Sequence, residues 1–355
     1  MSVQFNKLSM CIVFSLAFML SRNTLADTAN YVLVDTLHLP GATRWDYLTF
    51  DSPTHRLFIT RGESVDVLDV ESKKIVGSIP NTNGVHGVTL ALDLDKGFTS
   101  NGKANTVTIF DLRSLKEIST PSTGSKPDAI VYDASTKRVF IANGESDDMT
   151  VLDAKTGKAI DTIKLGGKPE FAVVDGKGQL FVNLEDKSQL AVVDTRNLKV
   201  LAHYDLAPNC SSPTGLAIDM SQRRLFSVCS NKAMVVVDGL SGKILDTLPI
   251  GAHSDAALFD PMTKLAFSSN GDGTLTVVKA TTSNNYEVVQ TVVTKPTART
   301  MALDPSTHQL YLAAAETEGF ETPLLNHPDP RPHIKSDTFM ILTVGQKINL
   351  PNPKN

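Results

Sequence analysis

Tryptophan occurs once in this chain of 355 residues and cysteine three times, and no apolar run is long enough to cross a bilayer. A spanning helix needs about 20 consecutive apolar residues. Neither sign of charge is in large excess, with 34 Lys and Arg against 38 Asp and Glu. That balance disfavours sequence-independent nucleic-acid binding, which depends on Lys and Arg neutralising phosphates. Also missing are a Gly-x-Ser-x-Gly elbow, a Cys-x-x-Cys-His haem attachment and a P-loop. Composition is otherwise that of an ordinary globular protein, 41% apolar and 20% charged, which excludes a disordered or fibrous chain.

The first 26 residues differ from the rest. Lys7 supplies a positive start, Cys11 to Leu20 is an apolar run of signal-peptide length, and Thr24-Leu25-Ala26 offers small residues at a cleavage site. The pattern predicts an exported protein, periplasmic or secreted, divided into a signal peptide (1–26), a body (27–345) and a C-terminal tail (346–355). The competing expectation is an uncleaved membrane anchor. Removing residues 1–26 takes away Lys7 and Arg22 and no acid, so the formal charge moves from −4 to −6. Cys210 and Cys229 survive processing, and an even count in an oxidising compartment favours a disulfide over two buried free thiols.

Self-similarity dominates the body. One unit reads Pro127 to Asp133, Lys137 to Asn143, Met149 to Asp153 and Lys158 to Leu165, four short β-branched or alternating runs closed by Gly, Asn or Asp. An Asp closing the first run recurs at Asp51, Asp93, Asp133, Asp175, Asp219, Asp260 and Asp304, at intervals of 40 to 44 residues. An aromatic of the second run recurs at Phe58, Phe98, Phe140, Phe181, Phe226 and Tyr311, with Phe267 counted one place out of step. An Asp ends the third run at Asp69, Asp111, Asp153, Asp194 and Asp238. Seven registers of about 42 residues with four strands (a to d) each predict an all-β, seven-bladed β-propeller. Thr338 to Val344 forms a strand c with no strand d after it, whereas Tyr31 to Gly41 copies the strand d at Lys243 to Gly251. The N-terminal strand is therefore expected to complete the last blade and remove the open edge.

The repeat resembles the YVTN-type β-propeller family, including the YncE-like periplasmic proteins. The motifs that carry the likeness are Lys137-Arg-Val-Phe-Ile-Ala-Asn-Gly144, Thr150-Val-Leu-Asp-Ala-Lys-Thr-Gly157 and Arg223-Arg-Leu-Phe-Ser-Val-Cys-Ser-Asn231, with Ala266 to Val278. The resemblance spans residues 31–344 and implies the fold; it says little about activity, because the family is defined mostly by its repeat.

The repeated residues read as scaffold. Strand-closing aspartates should accept backbone hydrogen bonds in tight turns, and Asn101-Gly102, Asn143-Gly144 and Asn270-Gly271 should supply positive φ after strand b. Information about function lies where blades differ. Five residues before each strand-a Asp stand Asp46, Val88, Asp128, Glu170, Thr214, Asp255 and Arg299, with Arg44, Trp45, His86 and His253 close by. These positions open on one channel mouth. A ligand site is expected there at Arg44, Trp45, Asp46, His86, Asp128, Glu170, His253, Asp255 and Arg299; the alternative is a set of turn residues screened by water and salt. The cofactor stays unknown, with a divalent cation as one candidate: the carboxylates would suit calcium and the histidines a transition metal. A second irregularity is the Pro-rich strand b-to-c connection of blade 7, Glu316 to Ser336, against about six residues elsewhere; it is expected to be a lid, a docking arm or a plain surface flap.

Two functions fit. One is a binding or scaffold protein of the cell envelope, a monomer that takes a small molecule or an envelope protein at the mouth. The alternative is a channel-mouth enzyme of lactonase or lyase type, with the acids and histidines as metal ligands or general bases. A quinone-cofactor dehydrogenase is disfavoured, since such propellers repeat tryptophan and this chain has only Trp45.

Overall fold

A computed structural model describes Met1 and residues 29–41, 44–282, 284–320 and 332–347. The proposed signal segment, most of the C-terminal tail and the centre of the long loop lie outside the described residues.

The described strands form seven four-stranded antiparallel sheets and one small two-stranded sheet. Blades 1 to 6 are continuous in sequence, at 48–79, 85–119, 127–164, 169–205, 213–249 and 254–293. Blade 7 combines Thr300–Asp304, Gln309–Ala314 and Met340–Gln346 with Tyr31–His38 as its outer strand. That strand pairs antiparallel with Met340–Gln346, from Tyr31 opposite Gln346 to His38 opposite Met340. Gln290 of blade 6 binds the backbone of Tyr31 through both its donor and its acceptor, and the Tyr31 ring meets Phe267 edge-on at 5.2 Å. The Tyr31–His38 strand is thus held by side chains as well as by sheet pairing.

No blade has a core of its own. The buried apolar residues fall into seven clusters, and each joins two neighbouring blades, the last joining blades 7 and 1. Strand b of every blade supplies one ring to this seam, from Phe58 through Phe267 to Tyr311, all but Tyr311 essentially inaccessible to solvent. Phe267 lies opposite Leu258, two residues before Asp260, just as Phe140 lies opposite Val131 before Asp133, so the aromatic series is unbroken and the expected displacement is absent. Each fully buried ring contributes about 2–3 kcal/mol of transfer free energy.

Turn chemistry agrees with the repeat in most blades. Asp133, Asp219, Asp260 and Asp304 accept the backbone N–H two residues on, at 2.8–2.9 Å. At the c–d turns Asp69, Asp111 and Asp153 accept the N–H three residues on, each at 2.7 Å. Those donors hold the Asp69 and Asp111 carboxyls below the usual carboxylate range. At Asp133 burial pushes the other way, but donors from Thr195, Ser135 and Thr136 outweigh it.

Three expectations fail. Strand a of blade 2 ends at Ala91, which pairs with Lys96, and Leu92–Leu94 form a 3-10 turn. Asp93 therefore does not close that strand; it accepts from the Tyr132 hydroxyl and pairs with Lys137 of blade 3. The Asn-Gly pairs do not provide positive φ, which falls instead on Asn105, Asp147 and Gly273 in those turns. Asn101, Asn143 and Asn270 are buried, and their amides donate to hydroxyl or carboxylate groups at the start of strand c, clamping b to c. The b–c connections of blades 1 to 6 are also shorter than expected, three or four residues instead of six. Cys210, in the loop entering blade 5, is disulfide-bonded to Cys229 at the end of its strand b. In the chain-entropy view, closing a loop of this length contributes about 3 kcal/mol.

Truncating one strand-b ring should open a seam shared by two blades. Phe140→Ala is expected to lower the unfolding free energy by about 3–5 kcal/mol, measured by urea denaturation; a loss under 1 kcal/mol would contradict the interblade core.

Candidate functional site

With the blade 2 register corrected, the residue five places before the end of strand a is His86 and not Val88. Val88 is buried in the core between blades 1 and 2. One equivalent position per blade then reads Asp46, His86, Asp128, Glu170, Thr214, Asp255 and Arg299. The innermost strands of neighbouring blades touch all round the ring, blade 7 to blade 1 included. Their shared geometry brings these seven residues to one mouth.

The backbone of this ring is tied from blade to blade. The Asp46 carbonyl accepts from Thr300, the Thr214 carbonyl from Asn183 at 2.6 Å, and the Asp128 and Arg299 carbonyls from the hydroxyls of Ser100 and Ser269. Tyr47 N–H donates to the His86 carbonyl at 3.1 Å. Side chains at the mouth are held by the same ladders that hold the fold, so the arrangement is preorganised.

Contacts within the ring are specific. His86 Nδ1 lies 2.6 Å from Asp46 Oδ2 and 3.7 Å from Asp128 Oδ1. Arg299 Nη1 lies 3.2 Å from Asp255 Oδ2. The Tyr47 hydroxyl is 3.4 Å from Glu170 Oε1, and the Tyr47 ring meets Phe171 at 5.0 Å. Blades 1 and 4 stand on opposite sides of a seven-membered ring, so this pair crosses the axis beneath the acids. The corresponding residues of other blades are Gly87, Ala129, Gly215, Ala256 and Thr300, which leave space for the two rings. The mouth is a cup with an aromatic floor.

Electrostatics follow from burial and crowding. Burial, opposed by His86 and assisted by Asp46 and Asp255, pushes Asp128 up to about 6. Burial first, then Asp128, Asp255 and Glu185, puts Glu170 well above the ordinary carboxylate range. Asp255 is also raised by burial, although Arg299 opposes the shift. Burial favours the neutral form of His86, but the hydrogen bond to Asp46 and the charges of Asp128 and Asp46 outweigh it and raise its pKa. Asp255 holds the Arg299 guanidinium firmly charged. Four carboxylates thus face one arginine and one histidine.

Other expected residues lie elsewhere. Trp45 packs on Phe339 at 5.3 Å, against the core between blades 7 and 1. Arg44 and His253 sit two places before their ring residues, on the exposed rim. The equivalent rim residues of blades 3 and 4 are Lys126 and Lys168, which the sequence reading passed over. Lys168 pairs with Glu185 and Lys126 approaches Glu145 at 3.8 Å. Tyr47 and Phe171 were also missed; the signal was an aromatic directly after the ring residue where other blades have a small one. The long loop leaves the b–c corner of blade 7 at the mouth end, and Thr317–Phe320 pairs with Pro332–Ile334. His327 and its prolines lie outside the described residues.

No family model and no curated protein matches the chain. Solved structures with the same fold include a chain of Kuenenia stuttgartiensis hydrazine synthase, with a TM-score of 0.67 and 15% identity over 78% of this chain and 94% of that one. A chain of the mitotic checkpoint complex gives 0.71 and 16%, over 86% and 96%. U3-55K gives 0.72 and 11%, over 88% and 98%. At such identities the likeness shows the fold alone. The chain is a seven-bladed β-propeller.

The raised acids have a thermodynamic consequence. A carboxyl whose pKa is higher folded than unfolded makes the folded state bind the extra proton, so stability falls as pH rises through that interval. For Asp128 the interval runs from the ordinary value of 3.8 to about 6, on the order of 3 kcal/mol. Asp128→Asn is therefore expected to raise the melting temperature by a few degrees at pH 8 and to lose that advantage near pH 4. An equal or lower melting temperature at pH 8, by calorimetry, would contradict the crowded-acid account.

Proposed function

We propose that this is an exported, periplasmic or secreted binding protein of the YVTN type, monomeric, whose channel mouth receives a cationic ligand. The observation that carries the reading is the convergence of Asp46, Asp128, Glu170 and Asp255 from four blades, with Arg299 and His86 as the basic groups among the ring residues. The Asp46 and Asp128 oxygens lie within 4.8 Å of each other; at an effective dielectric near 20, charged carboxylates at that separation repel by about 3 to 4 kcal/mol, which a bound cation relieves. The Tyr47 and Phe171 rings of blades 1 and 4 meet across the ring of inner strands, which suits a receptor cup better than an open passage. The Cys210–Cys229 disulfide fits an oxidising compartment, in keeping with the signal pattern at 1–26. Among the described residues no helix is long and apolar enough to cross a membrane. The ligand is a small molecule or ion, or a basic group presented by an envelope protein.

The test is thermal shift of the purified protein at pH 7.5 against spermidine, lysine amide and divalent metal chlorides. Binding to the folded state raises the melting temperature in proportion to ligand excess, and the rise should vanish in Asp128→Asn/Asp255→Asn. No shift with any of these cations sinks the reading.

The 2.6 Å contact between His86 and Asp46 favours a second reading, an enzyme of lactonase or lyase type. Asp46 would orient the imidazole and His86 would act as general base. Such an enzyme should hydrolyse members of a lactone panel and lose at least a hundredfold in kcat in His86→Gln. Rates at the buffer level across the panel exclude lactonase activity.

A further inference from the structure

We propose that Asp46, His86 and Asp128 form a chelating site for one divalent first-row transition ion of the Zn²⁺ or Mn²⁺ class, with coordination positions left open toward the mouth. This deepens the cation-binding reading above and rests on it.

Three successive blades supply one nitrogen and two oxygens, all within 4.8 Å of one another. Ligand atoms about 2.1 Å from a shared ion stand about 3 to 3.6 Å apart. The His86 Nδ1 to Asp128 Oδ1 distance of 3.7 Å is near that range. The 2.6 Å contact with Asp46 is a proton bridge that must open by about half an ångström when the imidazolium releases its Nδ1 proton to solvent and the neutral ring, still protonated at Nε2, takes the ion. Orientation of the ring is fixed from behind: a Cβ at Gly102 would stand 2.6 and 2.7 Å from His86 Cδ2 and Nε2, so only glycine in the b–c loop admits the imidazole there. Such outer contacts hold a ligand in its coordinating pose.

The other acids of the mouth already have partners. Asp255 has Arg299, Glu170 has the Tyr47 hydroxyl and Glu185 has Lys168. Among the described residues the Asp46 and Asp128 carboxylates make no hydrogen bond or ion pair except with the His86 imidazole. A second observation points into the cup: Tyr47 is 6% exposed, its hydroxyl donates to Glu170 at 3.4 Å and accepts no hydrogen bond among the described residues, so its oxygen is open to a donor such as metal-bound water. The donor set selects the ion. Imidazole disfavours Ca²⁺ and Mg²⁺, which take oxygen, and the absence of thiolate disfavours Cu⁺, since Cys210 and Cys229 are consumed in the disulfide. Three protein ligands leave an open position, the arrangement of sites that exchange water or bind a further ligand.

The experiment is calorimetric titration of the purified chain, stripped of metal with a chelator, with zinc, manganese and calcium chlorides and separately with spermidine. One Zn²⁺ or Mn²⁺ per chain should bind at least a hundredfold tighter than Ca²⁺. His86→Gln and Asp128→Asn should each weaken that binding tenfold or more, while His38→Ala, exposed at the end of the outer strand of blade 7, leaves it unchanged; circular dichroism melts verify that each variant folds. Spermidine binding without stoichiometric transition metal overturns the metal site and spares the cation reading. Binding of neither overturns both. Metal binding that survives His86→Gln but falls in His38→Ala identifies an adventitious surface histidine and overturns the assignment.

Discussion

Every feature of this protein depends on apolar burial between blades, not within them. A four-stranded blade alone has two faces to cover and no core, so it becomes stable only when pressed between neighbours. Here each seam holds aromatic and branched side chains from both sides, and the seven seams form a closed ring. Closure requires a last seam as good as the others. Tyr31–His38 provides it by completing blade 7, and Tyr31 inserts into the seam with blade 6. The ring in turn gives equivalent positions of different blades a common centre, which is why residues separated by some 40 positions in sequence become neighbours at the mouth.

Aspartate serves this architecture in two opposite electrostatic roles. In the turns it is surrounded by N–H and hydroxyl donors, which favour the ionised form and hold Asp69, Asp111 and Asp133 low. At the mouth the same side chain meets other carboxylates in a poorly hydrated cup, and Asp128 and Asp255 are raised. The first group stabilises the fold above the carboxylate range; the second costs stability there. Groups that cost stability where no packing or turn demands them are the expected mark of a site shaped for something other than folding. The cup also has a wall of rim bases, Arg44, Lys126, Lys168 and His253, two of them close to acids of the b–c loops.

The repeat was legible to within a residue or two. Strand a of blade 3 runs Pro127–Asp133 as the motif suggests, and the copied strand at the N-terminus pairs where its likeness to blade 5 implied. Local rules that depend on one residue's chemistry also read correctly, as with the Asx turns after Asp133 and Asp304. Errors arose where counting replaced pairing. Asp93 looks like a strand-closing Asp, yet pairing ends at Ala91, and a shift of two residues exchanged Val88 for His86 at the ring. The Asn-Gly pairs were read as turn formers because that is their usual use; here the asparagines are buried clamps and Gly102 makes room for an imidazole.

The order of strands, the number of blades and the joining of the ends were set by sequence alone, because each strand carries its own alternation and each turn its own donors and acceptors. Which side chains meet at the axis was decided by tertiary structure. Tyr47 and Phe171 lie in blades 1 and 4 and touch only because the ring closes. His86 faces Asp46 and Asp128 only because the register in blade 2 is fixed by pairing across the sheet. Distances of this kind depend on closure of the whole ring, a property that no single repeat contains.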